Sequence, residues 1–88
     1  MEFVLRDGTR VDCLTKNYAV EFDFAEKWAE AVGQSLHYAR LTGEDPAIVL
    51  IIEKESDWKH YWQLKKAVRK HGIKLWYITP NYLKTETP

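Results

Sequence analysis

The stretch Val11-Asp12-Cys13-Leu14-Thr15-Lys16-Asn17-Tyr18-Ala19-Val20-Glu21-Phe22-Asp23 decides how this chain begins to fold. On either side of Lys16-Asn17 an acid interrupts an apolar pattern: Val11 and Cys13 flank Asp12, and Val20 and Phe22 flank Glu21. A period of two marks strands, and a short polar linker between them marks a hairpin. A two-residue turn at Lys16-Asn17 pairs Thr15 with Tyr18, Leu14 with Ala19, Cys13 with Val20 and Asp12 with Glu21. Directly opposed residues share a sheet face, where like charges repel; Asp23 follows Glu21 on that face. Two readings fit: exposed strand acids balanced by Lys or Arg, or a carboxylate pair gathered around a divalent cation.

Upstream, Glu2 to Leu5 reads as a strand, Asp7-Gly8 as a tight turn and Thr9 to Leu14 as the partner strand. A two-residue turn there sets Phe3 opposite Asp12 and directs Glu2 to the other face, which removes Glu2 as a third ligand. Cys13 is expected on the core face, chemically inert. Downstream, Phe24 to Thr42 reads as a helix, capped by Asp23 and ended by Gly43, and Glu44-Asp45-Pro46 as a loop. Ala47 to Ile52 is a continuous apolar run, the mark of a central strand buried on both faces. Ser56 or Asp57 starts a second helix that reaches His71, Gly72 stops it, and Ile73 to Ile78 forms the last strand. Strand, helix, strand implies parallel pairing through right-handed crossovers. The expectation is one α/β domain over residues 1–78, a mixed sheet in the order βββαβαβ, with a loose tail from Thr79 to Pro88.

At about 100° per residue, Ala25, Trp28, Val32, Leu36 and Ala39 gather on one side of the first helix, and Glu26, Glu30, His37 and Arg40 on the other. Lys27, Gln34 and Tyr38 stack along one edge of the apolar stripe, where all three could reach a cleft beside the carboxylates; a polar border with Lys27 paired to Asp23 is the plainer reading. The second helix joins an aromatic face (Trp58, Tyr61, Trp62, with Leu64 and Val68) to a basic one (Lys59, Lys65, Lys66, Arg69, Lys70). Core packing accounts for most of the aromatics, and cations in a last helical turn suit the helix dipole. The same cations could hold a nucleic-acid backbone without reading bases. Trp58 or Trp62, if exposed, fits a dimer interface.

With 88 residues, 45% hydrophobic and 14% aromatic, one small core can form without disulfides. The single cysteine excludes an intrachain disulfide and a thiolate metal cluster, and fits a reducing interior. The absence of a leader pattern and of an ~18-residue apolar span gives the expectation of a soluble, cytoplasmic protein. Formal net charge is zero, yet residues 1–56 carry a surplus of five negative charges and residues 57–88 a surplus of five positive ones. Local fields rather than the total guide a charged ligand, so an acidic part suited to cations is joined to a basic part suited to phosphate; ordinary solvated faces are the alternative.

The order of a strand with Asp12, a strand with Glu21-x-Asp23, then a helix with Gln34-x-x-x-Tyr38 resembles the PD-(D/E)xK nuclease superfamily. That superfamily has the restriction-endonuclease-like fold and includes restriction enzymes, RecB-like exonucleases and Holliday junction resolvases. The similarity spans residues 2–78. It implies that Asp12, Glu21 and the Phe22 backbone carbonyl hold Mg²⁺ or Mn²⁺, with Gln34 orienting the site and Asp23 and Tyr38 as accessory residues. The family's Glu-x-Lys position holds Asp23 here, so the lysine's role passes to Lys27. Lys65, Lys66, Arg69 and Lys70 are the expected DNA-backbone contacts. The family usually opens with a helix and this sequence opens on a strand, as a minimal or trimmed member, or a relative without the activity, would. The activity implied is metal-dependent DNA endonuclease, structure-selective for branched DNA such as a Holliday junction, of a phage or bacterial kind acting as a homodimer. The alternatives are a catalytically inactive nuclease-like module that binds nucleic acid or protein, and a structural subdomain of a larger machine.

Overall fold

The hairpin around Lys16-Asn17 forms in the expected register. In the computed structural model, which describes residues 3–4 and 10–80, β3 (Cys13–Leu14) runs antiparallel to β4 (Tyr18–Phe24) with Cys13 opposite Val20 and Leu14 opposite Ala19. Thr15 closes the turn: its N–H donates to the Tyr18 carbonyl at 2.8 Å, and its Oγ1 accepts from the Tyr18 N–H at 2.9 Å. The strand expected over 9–14 is divided. Arg10–Val11 forms β2, which pairs with β1 (Phe3–Val4) in a separate two-stranded sheet, and a bend at Asp12 precedes β3. The division has a local cause. The Phe22 N–H of β4, which a continuous strand would meet with backbone, instead donates to the Asp12 carboxylate at 2.9 Å. Phe3 pairs with Val11, one residue from the partner that a two-residue turn at Asp7-Gly8 demands, so that part of the expected register is corrected. Glu2 and the Asp7-Gly8 turn lie outside the described residues.

The main sheet has four strands in the order β3-β4-β5-β6, with β5 (Asp45–Ile51) parallel to both β4 and β6 (Lys74–Ile78). β5 is central and its Ala47, Ile48, Val49 and Leu50 are all buried, as their unbroken apolar run requires. It starts at Asp45 rather than Ala47, and Pro46 is tolerated in it: β6 begins opposite Ala47, so no ladder partner faces the missing N–H on that side.

α1 (Trp28–Thr42) and α2 (Trp58–His71) are the two crossovers. Both step in the same direction along the sheet, and one handedness then sets both on one face. There Ala31 of α1 and Leu64 and Val68 of α2 close over Ile48, Leu50 and Ile73. Gly43 and Gly72 end the helices at φ +77° and +64°, left-handed values that glycine adopts without a Cβ penalty.

The helix starts differ from expectation. β4 continues through Phe24, a 3₁₀ turn occupies Ala25–Lys27, and α1 begins at Trp28. Asp23 therefore lies in the strand and caps no helix; its carboxylate accepts from the adjacent Phe24 N–H at 3.2 Å. A second 3₁₀ turn, Glu55–Asp57, precedes α2, where the buried Asp57 accepts from the Glu53 N–H at 2.9 Å and pins the loop behind β5. The buried stripe of α1 is rotated toward Ala31, Ser35 and Tyr38, because the small Ala31 and Ser35 allow close approach to the sheet; the Ser35 hydroxyl is 3.5 Å from the Ala47 carbonyl. Trp28, Val32 and Leu36 are only partly buried at the edge of the shared core. At the far end, Thr79 is buried and belongs to the domain rather than to a tail; residues 81–88 lie outside the described residues.

Among the described residues, the opposite sheet face carries no helix. Val20, Ala47 and Val49 are buried there beneath Cys13 and Tyr18, and the Tyr18 and Trp76 rings meet edge to face at 5.5 Å. Phe22, Phe24, Trp76 and Ile78, on the same face by strand alternation, are exposed. Cys13 is half-buried. Among the described residues no helix is long and apolar enough to cross a membrane.

Candidate functional site

The antiparallel register that pairs Cys13 with Val20 leads, one residue outward, to Asp12 beside Glu21. Glu21 points to the helix-covered face and is 6% exposed. Asp12 is half-buried, held by the hydrogen bond from Phe22. The two carboxyl groups are close enough to share a hydrogen bond. Burial, then the charges of Asp12 and Asp23, push the Glu21 carboxyl up to about 8, because an anion there has lost water and gained anionic neighbours. Burial also raises the Asp23 carboxyl; the Phe24 N–H and Lys27 oppose that shift, and Glu30 and Asp12 add to it.

Backbone geometry supplies a third oxygen. In an extended strand the N–H and C=O of one residue point to the same edge, and the Phe22 N–H points to Asp12. The Phe22 carbonyl thus points to the edge on which Asp12 lies, next to Glu21 in the chain. Two carboxylates, a carbonyl and water form an all-oxygen set of the kind Mg²⁺ accepts, and a buried pair of like charges is stabilised by a cation. The donor set fits the metal on those grounds. Among the described residues, no group of three or more His, Cys, Asp or Glu side chains is gathered to hold a metal ion.

α1 runs back over β4. Its start is felt at Asp23, through the charges of Lys27 and Glu30, and its later turn meets Ala19, against which Tyr38 packs together with Leu14. Gln34, one turn after Glu30 and one before Tyr38, is exposed. Lys27, also exposed, occupies the N-cap position of α1. Tyr38 is 8% exposed and belongs to the core rather than to an open cleft; its bulk fills the space above Ala19. Glu30, assigned above to the solvent side alone, acts on Asp23. Its spacing of three from Lys27 was the available signal.

The basic residues do not join this site. α2 contacts α1, the 3₁₀ turns Ala25–Lys27 and Glu55–Asp57, and β6; Lys65, Lys66, Arg69 and Lys70 are exposed on its middle and last turns, on the β6 side of the sheet rather than the β3 side. There Trp62, Lys65, Lys66 and Arg69 line a groove of about 240 Å³. Comparison of the chain with protein-family models, with curated proteins and with solved structures finds no match.

Proposed function

We propose that this chain is a small metal-dependent DNA endonuclease with a PD-(D/E)xK-like, restriction-endonuclease-like core, acting on branched DNA as a homodimer. The observation that carries the reading is the buried Glu21 of β4 beside Asp12 at the bend before β3, with Phe22 holding Asp12 in place. An uncompensated acid pair is costly, and a site that keeps one is suited to a cation. Asp12, Glu21 and the Phe22 carbonyl would hold Mg²⁺ or Mn²⁺, which when bound supplies charge neutralisation at a phosphodiester and a more acidic water. Lys27 and Gln34 sit on the helix edge along the Glu21 strand; in this reading Lys27 faces the phosphate charge and Gln34 positions water. The Lys27 charge acts on Asp23, and Tyr38 supports the helix edge from within the core. The exposed Phe22, Phe24, Trp76 and Ile78 provide apolar area for a second copy.

A second reading, a nuclease-like module that binds nucleic acid without cutting, is favoured by Asp23 in the strand position of the family lysine and by a basic helix remote from the carboxylates. One assay separates the two. Four-way junction, duplex and single-stranded DNA are incubated with Mg²⁺, Mn²⁺, Ca²⁺ or EDTA, using wild type, Asp12→Asn, Glu21→Gln and Lys27→Ala. The endonuclease reading expects cleavage of the junction with Mg²⁺ or Mn²⁺, abolished in both acid variants and at least ~10²-fold slower in Lys27→Ala, the scale of one positioned electrostatic donor. Metal binding with no cleavage of any substrate identifies the binding module.

A further inference from the structure

We infer that the α2 groove is a binding site for an unpaired nucleotide, with the indole of Trp62 as the stacking platform and Lys65, Lys66 and Arg69 holding the adjoining phosphates. The inference deepens the nucleic-acid reading above, and rests on it only in taking a polynucleotide as ligand. Trp62 is 55% exposed, although Leu64 and Val68 of the same helix are buried in the core. Its ring is nevertheless held. Tyr61 meets it edge to face at 5.2 Å, and Tyr61 is itself locked by Trp58 at 5.5 Å and Tyr77 at 5.4 Å. A ring ordered by a chain of aromatic contacts has little entropy left to lose when a base stacks on it.

No described carboxylate neutralises the charge around the ring. Residues 58–71 contain no Asp or Glu, so no partner at i+3 or i+4 exists within the helix, and none of Lys65, Lys66 and Arg69 makes an ion pair with a described carboxylate. The Lys65 ammonium lies 5.2 Å from the Trp62 ring centre, so the groove joins a cation to an aromatic face. A planar base next to a phosphate satisfies both, which is the general design of single-strand binding surfaces. An acidic peptide would satisfy the cations and leave the indole idle. A membrane surface needs a broad apolar helix face, and on α2 that face is spent on the core.

The test measures binding in EDTA, where cleavage plays no part. Fluorescence anisotropy of a labelled thymidine 12-mer and of a 12-base-pair duplex is followed for wild type, Trp62→Ala, Trp62→Phe and the triple Lys65→Gln, Lys66→Gln, Arg69→Gln variant, with circular dichroism to verify folding. Trp62→Ala is expected to weaken 12-mer binding about tenfold, the scale of one lost stacking contact, and duplex binding less than threefold. Trp62→Phe should keep most of the affinity. The triple variant should lower the slope of log K against log salt for the 12-mer by about 2, at roughly 0.7 per phosphate contact on a single strand. Wild-type affinity of folded Trp62→Ala for the 12-mer overturns the inference, as does equal weakening for 12-mer and duplex, or no binding of the 12-mer by wild type. Loss of self-association in Trp62→Ala with 12-mer binding intact also overturns it, since the ring would then serve a protein contact. Failure of the cleavage assay leaves this site standing, and failure here leaves the endonuclease reading standing.

Discussion

At the scale of single residues, Glu21 is a buried acid in the company of acids, and its protonation is tied to folding. Its carboxyl stands near 4.5 in the unfolded chain and is pushed up to about 8 in the fold. Between those values the folded protein keeps a proton that the unfolded chain has released, so stability falls as pH rises through that window and levels off above it. Glu21→Gln removes the titration while keeping the shape. Its urea midpoint should match wild type near pH 4 and exceed it near pH 9, by roughly 2–4 kcal/mol at about 1.4 kcal/mol per pH unit with allowance for relaxation. A wild-type advantage at pH 9 would mean that Glu21 is stabilised as an anion, contrary to this account. Mg²⁺ in place of the proton should raise wild-type stability at pH 9 and leave Glu21→Gln unmoved, because a ligand stabilises only the state that binds it. Asp12 has a second duty. Its carboxylate takes the Phe22 N–H just before β3 begins, so Asp12→Asn keeps an acceptor and Asp12→Ala discards it. Removing the charge should therefore stabilise only in the Asn variant.

At the scale of elements, three glycines separate propensity from geometry. Gly33 lies exposed inside α1, and a Cβ added there meets nothing within 4 Å. Gly33→Ala should stabilise the protein by about 0.5–1 kcal/mol, the ordinary difference between the two residues in a helix interior. At Gly43 and Gly72 a Cβ would also meet nothing, but φ is positive, and Gly72→Ala should cost roughly 1–2 kcal/mol through the left-handed backbone alone. Equal effects at Gly33 and Gly72 in thermal unfolding would contradict the assigned ends of the helices. The α1 entry carries the same lesson. Asp23 has the composition of a cap, yet the ladder to β5 extends to Phe24 opposite Ile51, and continuous pairing with a central strand outweighs one side-chain cap.

For the molecule as a whole, one shared core joins both helices to the sheet, and Leu64, fully buried in it, reaches from α2 toward the residues of β5. Leu64→Ala should cost 2–5 kcal/mol, the usual range for emptying such a site. Loss of α1 and α2 in one transition, followed by hydrogen exchange, would check that the core is common to them; independent melting of α2 would refute it. The acidic edge at β3–β4 and the basic α2 lie toward opposite ends of the strand order, so the charge asymmetry along the sequence becomes an asymmetry across the fold. A nucleic acid engaging both must span that separation.

Much of this was legible in the sequence for physical reasons that act locally. Alternation at 11–14 and 18–23, the unbroken apolar run at 47–52 and the glycines at 43 and 72 each specify a backbone conformation within a few residues. They gave the β3–β4 register, the central parallel strand, both helix ends and the approach of Asp12 to Glu21. The remainder depends on partners distant in the chain. The break at Asp12 needs the Phe22 N–H, ten residues away. The rotation of α1 onto Ala31, Ser35 and Tyr38 needs the close floor of β5, and the open face with Phe22, Phe24, Trp76 and Ile78 follows from both crossovers stepping the same way. The isolation of the Trp62 groove from the carboxylates is equally a matter of strand order, which periodicity cannot encode: a residue's spacing sets the side of its own element that it occupies, and only packing sets what lies across from it.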